Sequence, residues 1–385
     1  MTKILKRAAE AIQEGRFAEI LPLLESASKA ADPDPEVLVY LGIVYVQLEE
    51  PAKAVEVLQK VQEQVEDYCV VSLFLGRALH GLGRFDEAAF ELKKALSMDP
   101  SPFEGWTDLG DLLITMKEFG EAAQTLEMAL KHFPDEPALR SLYATTLHKL
   151  GDYRGAAKEW GIVSQLTPDS VMALSNHAYL LLLQRKVSEA EPIISRAEKI
   201  DPKDCRLKIL HAEILIQRGE YKEAETFLMD AVESDDCYPP ALARLAVTSF
   251  KQGNDALFSR YLQKTKEALV EDPDKWWALY YIYRLIGWTE RMTDVLIDGT
   301  KEDRGSAAPW VTIACHYESM GMLEDAEQAW QVSFRIRRYV KLYCKHCGED
   351  SRIPYDDAHG FDIHVPLTCE KCESDIAMPQ GLASI

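Results

Sequence analysis

Apolar residues recur every three to four positions in two stretches of each successive 34-residue window, from residue 1 to residue 340. This spacing is typical of amphipathic helices, each of which buries one face. The ten windows follow without insertion and begin at residues 1, 35, 69, 103, 137, 171, 205, 239, 273 and 307. One helix pair cannot bury its own apolar face, so we expect ten helix-turn-helix units stacked into a solenoid.

Small residues occupy fixed places in these windows. Position 15 is Gly in seven windows, position 8 is Gly or Ala in nine, and position 20 is Ala in seven. Small residues at positions 8 and 20 let two antiparallel helices approach closely, and Gly at position 15 supplies the backbone freedom that ends the first helix. The predicted fold is an all-α solenoid over residues 1–340, followed by a small β domain over residues 341–385.

The register resembles that of the tetratricopeptide repeat family. Window four carries the fullest signature, Trp106-x2-Leu109-Gly110 followed by Phe119, Ala122, Leu126, Ala129 and Pro134. The resemblance covers residues 1–340, with the two windows over residues 239–306 degenerate. Position 20 becomes Phe258 and Met292 there, so we expect altered packing or a bend.

The resemblance implies a concave groove, lined by first helices, that holds a peptide or helix of a protein partner. It places these candidate partner-binding residues in the groove: Tyr179, Arg206, Phe250, Trp277, Tyr281 and Arg284. Trp277 and Tyr281 are one helical turn apart, and Trp, Tyr and Arg are enriched at interface hot spots. Packing between repeats is the alternative interpretation of Trp277 and Tyr281, and the sequence leaves both open.

Beyond the repeats, two cysteine pairs have the spacing of a metal site. Cys344-x2-Cys347 is separated by 21 residues from Cys369-x2-Cys372. This matches the spacing of zinc sites in which two short CxxC loops supply four thiolates, and four thiolates leave no open coordination position for a substrate. The segment resembles a zinc ribbon or rubredoxin-like domain, with residues 361–368 predicted as a strand from their alternating pattern.

A structural Zn²⁺ is therefore expected, because 45 residues hardly bury enough apolar surface to fold unaided. Three alternatives remain: iron in place of zinc, since cysteine quartets bind both metals, His346, His359 or His364 replacing one cysteine, or redox-active thiols without a structural metal. The other four cysteines show no pairing typical of a metal site and are expected to be small buried apolar groups. They are Cys69, Cys205, Cys237 and Cys315.

The charge balance narrows the possible partners. The chain has 43 Lys and Arg against 63 Asp and Glu, a formal net charge of −20. This acidity argues against nucleic acid and against anionic membrane surfaces, which both bind through cationic side chains. The longest apolar runs fall well short of the roughly 20 residues that cross a bilayer, and the N-terminus lacks the features of a leader peptide. We therefore expect a cytoplasmic protein that binds protein partners.

These patterns favour a non-catalytic scaffold or adaptor over an enzyme. The sequence contains no HExxH motif, no phosphate-binding Gly-rich loop and no nucleophile elbow. The order of modules also resembles that of bacterial regulators of lipopolysaccharide assembly, which implies a role in controlling a protease or an envelope-assembly pathway. A substrate-recruiting subunit of an enzyme complex is the third interpretation.

Overall fold

The computed structural model describes residues 2–30, 32–65, 68–234, 237–272, 274–344, 346–347, 350–355, 369, 372 and 374. Two helices lie in each of the ten windows. They are α1 Thr2–Gln13, α2 Phe17–Ser28, α3 Pro35–Gln47, α4 Pro51–Gln64, α5 Cys69–Gly81, α6 Phe85–Met98, α7 Phe103–Thr115, α8 Phe119–His132, α9 Pro137–Lys149, α10 Tyr153–Leu166, α11 Val171–Leu183, α12 Val187–Ile200, α13 Cys205–Arg218, α14 Tyr221–Ala231, α15 Tyr238–Lys251, α16 Asp255–Ala268, α17 Lys275–Ile286, α18 Thr289–Glu302, α19 Ala308–Met320 and α20 Leu323–Arg337. The predicted all-α repeat solenoid is confirmed.

The turn between the two helices of a window is left-handed at position 15 in all ten windows. Seven of these residues are Gly, and the other three are Glu49, Lys117 and Arg185, with φ between 59° and 61°. This conformation costs a residue with a side chain roughly 1–2 kcal/mol, whereas Gly adopts it freely. The turn is therefore a property of the repeat itself. Three windows adopt it although their residue at position 15 is not Gly and disfavours a positive φ.

Position 8 is small because position 24 of the same window lies directly over it. A Cβ added to Gly76 would lie 2.7 Å from Cγ of Leu92 and 3.3 Å from the backbone oxygen of Ala88. Gly110 faces Leu126 in the same way, at 2.7 Å from Cδ2. The two leucines are completely buried, so the close approach of the two helices fixes the shape of the core in each repeat.

The chain divides into two compact units, unit 1 over Met1–Leu142 and unit 2 over Tyr143–Ile385, with the boundary inside α9. In unit 2, the first helices α15 and α17 pack directly on each other, whereas α16 hardly touches α17. At the junctions before α3, α5, α7, α11, α15 and α19, by contrast, contacts of the second helix with the next first helix dominate. The altered packing expected over residues 239–306 is thus present at this junction.

Unit 2 closes on itself, because the end of α9 contacts the last two repeats. The hydroxyl of Ser306 donates to the backbone oxygen of Lys149 at 2.5 Å, and the buried Arg337 guanidinium donates to that of Leu150 at 2.6 Å. A Cβ at Gly151 would lie 3.2 Å from Cα of Ala308, so a residue without a side chain permits this approach. We call these interactions the closing contacts.

Two short strands follow α20. They are β1 Tyr339–Tyr343 and β2 Asp350–Pro354, which pair antiparallel with Tyr339 opposite Pro354 and Tyr343 opposite Asp350. The strand predicted over residues 361–368 lies outside the described residues, as do His359 and His364. Within the described part, none of the helices combines the length and the apolar character that a bilayer crossing requires.

We predict that Gly76→Val lowers the free energy of unfolding by about 1–3 kcal/mol, because its side chain overlaps Leu92 in a close-packed core. Chemical denaturation of the full chain measures this change. Glu63→Val, at an exposed position of α4, is the matched control and should change stability by no more than about 0.5 kcal/mol. Equal effects of the two substitutions would show that position 8 does not limit the packing.

Candidate binding groove and metal centre

The concave side of unit 2 contains two large cavities. The first has a volume of about 540 Å³ and is lined by first helices α11, α13, α15 and α17, with Tyr179, Arg206, Arg244, Trp277 and Tyr281 in its wall. Its remaining lining is mostly apolar, including Ile209, Leu210, Pro239 and Pro240. Ligand sites are typically cavities of this size with apolar walls and a few polar groups.

The second cavity lies on the other side of Trp277 and has a volume of about 520 Å³. Its wall contains Tyr280, Arg284, Cys315 and His316. Leu183 and Trp277 line both cavities. The concave space is therefore divided by side chains of the chain itself.

Trp277 is held in place by residues from other repeats. Its indole Nε1 donates to the hydroxyl of Tyr179 at 2.9 Å, and its ring centroid lies 5.6 Å from that of Tyr153. Burial raises the pKa of the Tyr179 hydroxyl above its ordinary value, so this hydroxyl stays protonated at neutral pH. Trp277 thus packs between repeats and at the same time presents surface to both cavities.

Glu213 is the polar centre of the groove. Its Oε2 accepts hydrogen bonds from the Tyr281 hydroxyl at 2.6 Å and from Nε of Arg244 at 2.9 Å, and its Oε1 accepts one from Gln217 at 3.2 Å. The Arg244 guanidinium also lies 4.8 Å from the centroid of the Tyr281 ring. Burial, and next to it the Glu213 charge, raise the pKa of Tyr281 well above its ordinary value. A buried, fully hydrogen-bonded charge pair of this kind fixes the positions of the side chains around it.

The other predicted groove residues are distributed more widely. The Arg206 guanidinium donates to the carboxylate of Asp204 and lines the first cavity. Arg284 lines the second cavity, with its guanidinium 5.9 Å from the centroid of the Tyr280 ring. Phe250 instead packs edge-on against Phe258 and Trp288. The structure thus brings Tyr179, Trp277 and Tyr281 into direct contact with other repeats. It places Arg206 and Arg284 at the cavities.

The expectation of isolated apolar cysteines is wrong for Cys205 and Cys237, which form a disulfide between the starts of α13 and α15. Their spacing of 32 residues places both at the beginning of successive first helices, a signal that the repeat register contains. Cys315 is not buried, since it faces the second cavity. Partial loss of hydration next to the surrounding protein atoms raises the pKa of its thiol to about 11, so Cys315 is a poor nucleophile at neutral pH.

The structure brings the four predicted metal ligands together. Ligand atoms of Cys344, Cys347, Cys369 and Cys372 all lie within 4.8 Å of one another. The Sγ atoms are 3.4 Å apart for Cys344 and Cys372 and 3.5 Å apart for Cys347 and Cys369. A tetrahedral site with metal–sulfur distances of about 2.3 Å requires sulfur atoms roughly 3.8 Å apart. The donor set and its size therefore fit a four-coordinate zinc or iron ion.

Backbone and side-chain groups support this cluster. The amide of Cys369 donates to the backbone oxygen of Ser374 at 2.9 Å, which closes the second CxxC loop. Hydrogen bonds from the side chain and the backbone of Ser374 lower the pKa of the Cys372 thiol to about 6. Cys372 is consequently a thiolate at neutral pH, the form that binds metal.

The cysteine cluster packs against the last repeat. Buried Cys344 and Cys369 belong to the same apolar core as Trp330 and Phe334 of α20. The ring of Tyr355, directly after β2, lies 6.5 Å from that of Phe334, and its amide donates to the backbone oxygen of Arg338. The cluster thus covers the apolar end of the repeats in unit 2.

Comparison with known families decides what the repeats are. Sequence profiles described as tetratricopeptide repeat match residues 11–68, 79–146 and 142–204. The chain contains tetratricopeptide repeats. The matched residues fall within the solenoid, and the helix pairs continue in the same register to residue 337.

Two known proteins are similar in sequence to parts of this chain. The chain is 28% identical over 153 residues to the TPR repeat-containing protein PA4667 of Pseudomonas aeruginosa, which covers 39% of this chain and 26% of that protein. It is 22% identical over 272 residues to the BBSome complex member BBS4 of Bos taurus, covering 66% of this chain and 52% of that protein. The chain therefore spans about a quarter and about half of the lengths of these relatives.

Among solved structures, the C-terminal part of a TPR repeat-containing protein from Cytophaga hutchinsonii superposes with a TM-score of 0.51 at 14% identity, covering 63% of this chain and 99% of that one. At this level of identity, the likeness shows the fold alone. It agrees with the stacked helix pairs of the present chain.

We predict that His148 makes unit 2 sensitive to acid. Burial, and next to it the charge of Lys149, lower the pKa of His148 to about 4, although Asp274 acts in the opposite direction. The imidazole packs between the rings of Tyr153 and Tyr179. In the unfolded chain, the imidazole of His148 binds a proton at about pH 6.5. The contribution of the neutral imidazole to the free energy of unfolding is therefore complete above pH 6.5 and is lost as the pH falls towards 4.

Between pH 7 and pH 4, the wild-type chain should therefore lose about 2–3 kcal/mol more stability than His148→Phe. Denaturant titrations at a series of pH values measure this difference. His132→Phe, at an exposed position in unit 1, is the control and should follow the wild type. If His148→Phe has the same pH profile as the wild type, the imidazole is not held neutral by the fold.

Proposed function

We propose that the chain is a non-catalytic scaffold or adaptor that holds a peptide or helix of a protein partner in the groove of unit 2. The observation that carries this proposal is the pair of cavities of about 540 and 520 Å³ on the two sides of Trp277. Tetratricopeptide repeats generally mediate protein–protein interactions. Two adjoining cavities with aromatic walls are suited to receive large side chains of one extended segment.

The groove is preorganised for such a partner. Tyr281 and Arg244 are fixed by Glu213, and Trp277 is fixed by Tyr179, so little side-chain freedom is lost when a ligand binds. These hydrogen bonds also satisfy the polar groups of Trp277 and Tyr281. A partner can therefore contact the aromatic faces without breaking buried hydrogen bonds.

We predict that the double variant Trp277→Ala/Tyr281→Ala reduces the amount of partner recovered by affinity capture at least ten-fold, since hot-spot residues of these types each contribute about 2 kcal/mol or more. Phe90→Ala is the matched control, because Phe90 is an aromatic residue of unit 1 with 66% exposure. It should retain the partner. Circular dichroism establishes that the double variant keeps its helix content, and undiminished recovery by a folded double variant would refute the groove assignment.

We propose that Cys344, Cys347, Cys369 and Cys372 hold a structural Zn²⁺, with iron as the alternative. When bound, the ion would supply a cross-link between two loops and no open position for substrate. The protein contributes the hydrogen bonds of Ser374 and the apolar packing against α20. The cysteine segment would then be a zinc ribbon that caps the repeats.

Metal analysis of the purified full chain should therefore give about one zinc ion per chain. Cys344→Ser and Cys369→Ser are each expected to lose the metal and to lower the melting temperature, because metal binding contributes to folding. Cys69→Ser, a substitution outside the cluster, should change neither. Iron in the wild-type chain would identify iron and not zinc as the bound metal. Full metal content in both Cys344→Ser and Cys369→Ser would disprove the assignment of these cysteines as ligands.

A second candidate function is the control of a protease or of an envelope-assembly pathway. It is favoured by the packing of the cysteine cluster on the last repeat, which fits the resemblance to regulators that combine these modules in the same order. The affinity capture described above separates the candidates, since a membrane protease among the groove-dependent partners would favour the second one.

A further inference from the structure

A small recess lies between the two cavities of unit 2. Its volume is about 50 Å³, and Arg185, Glu213 and Arg284 supply its charged groups. Leu183 and Trp277 line the recess as well as both cavities, so the three spaces adjoin one another. A group in the recess would therefore have a large, mostly apolar cavity on either side.

The one carboxylate of the recess is already engaged. Glu213 accepts hydrogen bonds from Tyr281, Arg244 and Gln217, which use both of its oxygen atoms. The nearest arginine of the first cavity, Arg244, is neutralised by this contact at 2.9 Å. Glu213 therefore has little capacity left to neutralise further cations.

Arg185 and Arg284 differ from the paired arginines of the groove. Across the part of the chain that the structure describes, neither of these two guanidinium groups forms an ion pair, whereas Arg206 is paired with Asp204 and Arg244 with Glu213. Counting Arg185 and Arg284 against Glu213, the charged groups that line the recess sum to +1, in a chain with a net charge of −20. Arginine forks of this kind recognise carboxylates.

The backbone of Arg185 indicates which substitution tests the recess. Arg185 occupies position 15 of its window with φ 59°, where seven of the ten windows have Gly. A side chain in this conformation costs stability, and Glu49 and Lys117 bear the same cost in their own windows. Replacing Arg185, which lines the recess, by Gly therefore removes the guanidinium and relieves this cost at the same time.

We propose that Arg185 and Arg284 bind the carboxylate of an Asp or Glu residue in an extended segment of a protein partner, with large apolar side chains of that segment in the two flanking cavities. This inference rests on the proposed function and names the chemistry of the partner. The recess has room for about two water-sized groups, which suits a carboxylate. A small free anion would fill the recess and leave both cavities empty.

The test begins with a displayed library of random twelve-residue peptides, selected on the immobilised full chain. The expected result is enrichment of an Asp or Glu flanked on both sides by Leu, Phe, Tyr or Trp. The most enriched peptide is then synthesised in two forms, with its acidic residue intact or replaced by Gln or Asn. Fluorescence anisotropy measures the dissociation constants of both forms, with inorganic phosphate and acetate as competitors.

Arg185→Gly is the decisive variant, because it removes the guanidinium and at the same time relieves the backbone. Its melting temperature should be equal to or higher than that of the wild type, while binding of the acidic peptide weakens by about ten- to a hundred-fold. Arg284→Gln should weaken binding by a similar factor. Neither substitution should change the affinity for the neutral peptide by more than about two-fold. Lys117→Gly is the matched control, since it replaces a cation by Gly at the same turn position in unit 1.

The outcomes separate this inference from the proposed function. Enriched peptides that bind through Trp277 and Tyr281 but carry no acidic residue would overturn the inference and leave the proposed function standing. Equal losses for the acidic and the neutral peptide would also overturn it. Displacement of the peptide by phosphate or acetate at micromolar concentration would identify a small-anion site instead and overturn it as well. Enriched peptides whose binding is unaffected by Trp277→Ala/Tyr281→Ala would refute the proposed function itself.

Discussion

The closing contacts at the end of α9 determine which side chains meet inside unit 2. The last carbonyl groups of a helix have no partner within the helix and require one elsewhere. Here the Ser306 hydroxyl and the Arg337 guanidinium donate to the carbonyls of Lys149 and Leu150, and a cation at this end of a helix is favoured by its dipole. Since residues of the last repeats provide these donors, the repeats of unit 2 must curve until both ends meet.

That curvature explains why the aromatic residues of α17 face other repeats. Trp277 reaches Tyr179, and Tyr281 reaches Glu213, across 98 and 68 residues of sequence. The direct packing of α15 on α17 brings these first helices together on the concave side. The groove is therefore divided into cavities by side chains whose own polar groups are satisfied, which leaves their aromatic faces for a partner. Arg185 and Arg284 line the recess between the cavities, with Arg284 beside the ring of Tyr280.

Much of the fold could be predicted because the repeat is a local property. The period, the small residue at position 8 and the left-handed turn at position 15 depend on contacts within one window, as between Gly76 and Leu92. The cysteine cluster was also predictable, because two CxxC pairs have the spacing of a metal site. The disulfide between Cys205 and Cys237 was not predicted, because a separation of 32 residues is no pairing signal unless the repeat register places both residues at the starts of successive first helices.

The sequence by itself determined the ten helix pairs, their turns and the four clustered thiols, because each of these follows from residue types at short or periodic spacing. Only the tertiary structure decided that Trp277 meets Tyr179, that Glu213 is shared by Tyr281 and Arg244, and that Arg185 and Arg284 line one recess. These pairings depend on the accumulated rotation from repeat to repeat. Small changes at each junction add up over several repeats, so the residues that meet inside the groove cannot be read from any single window.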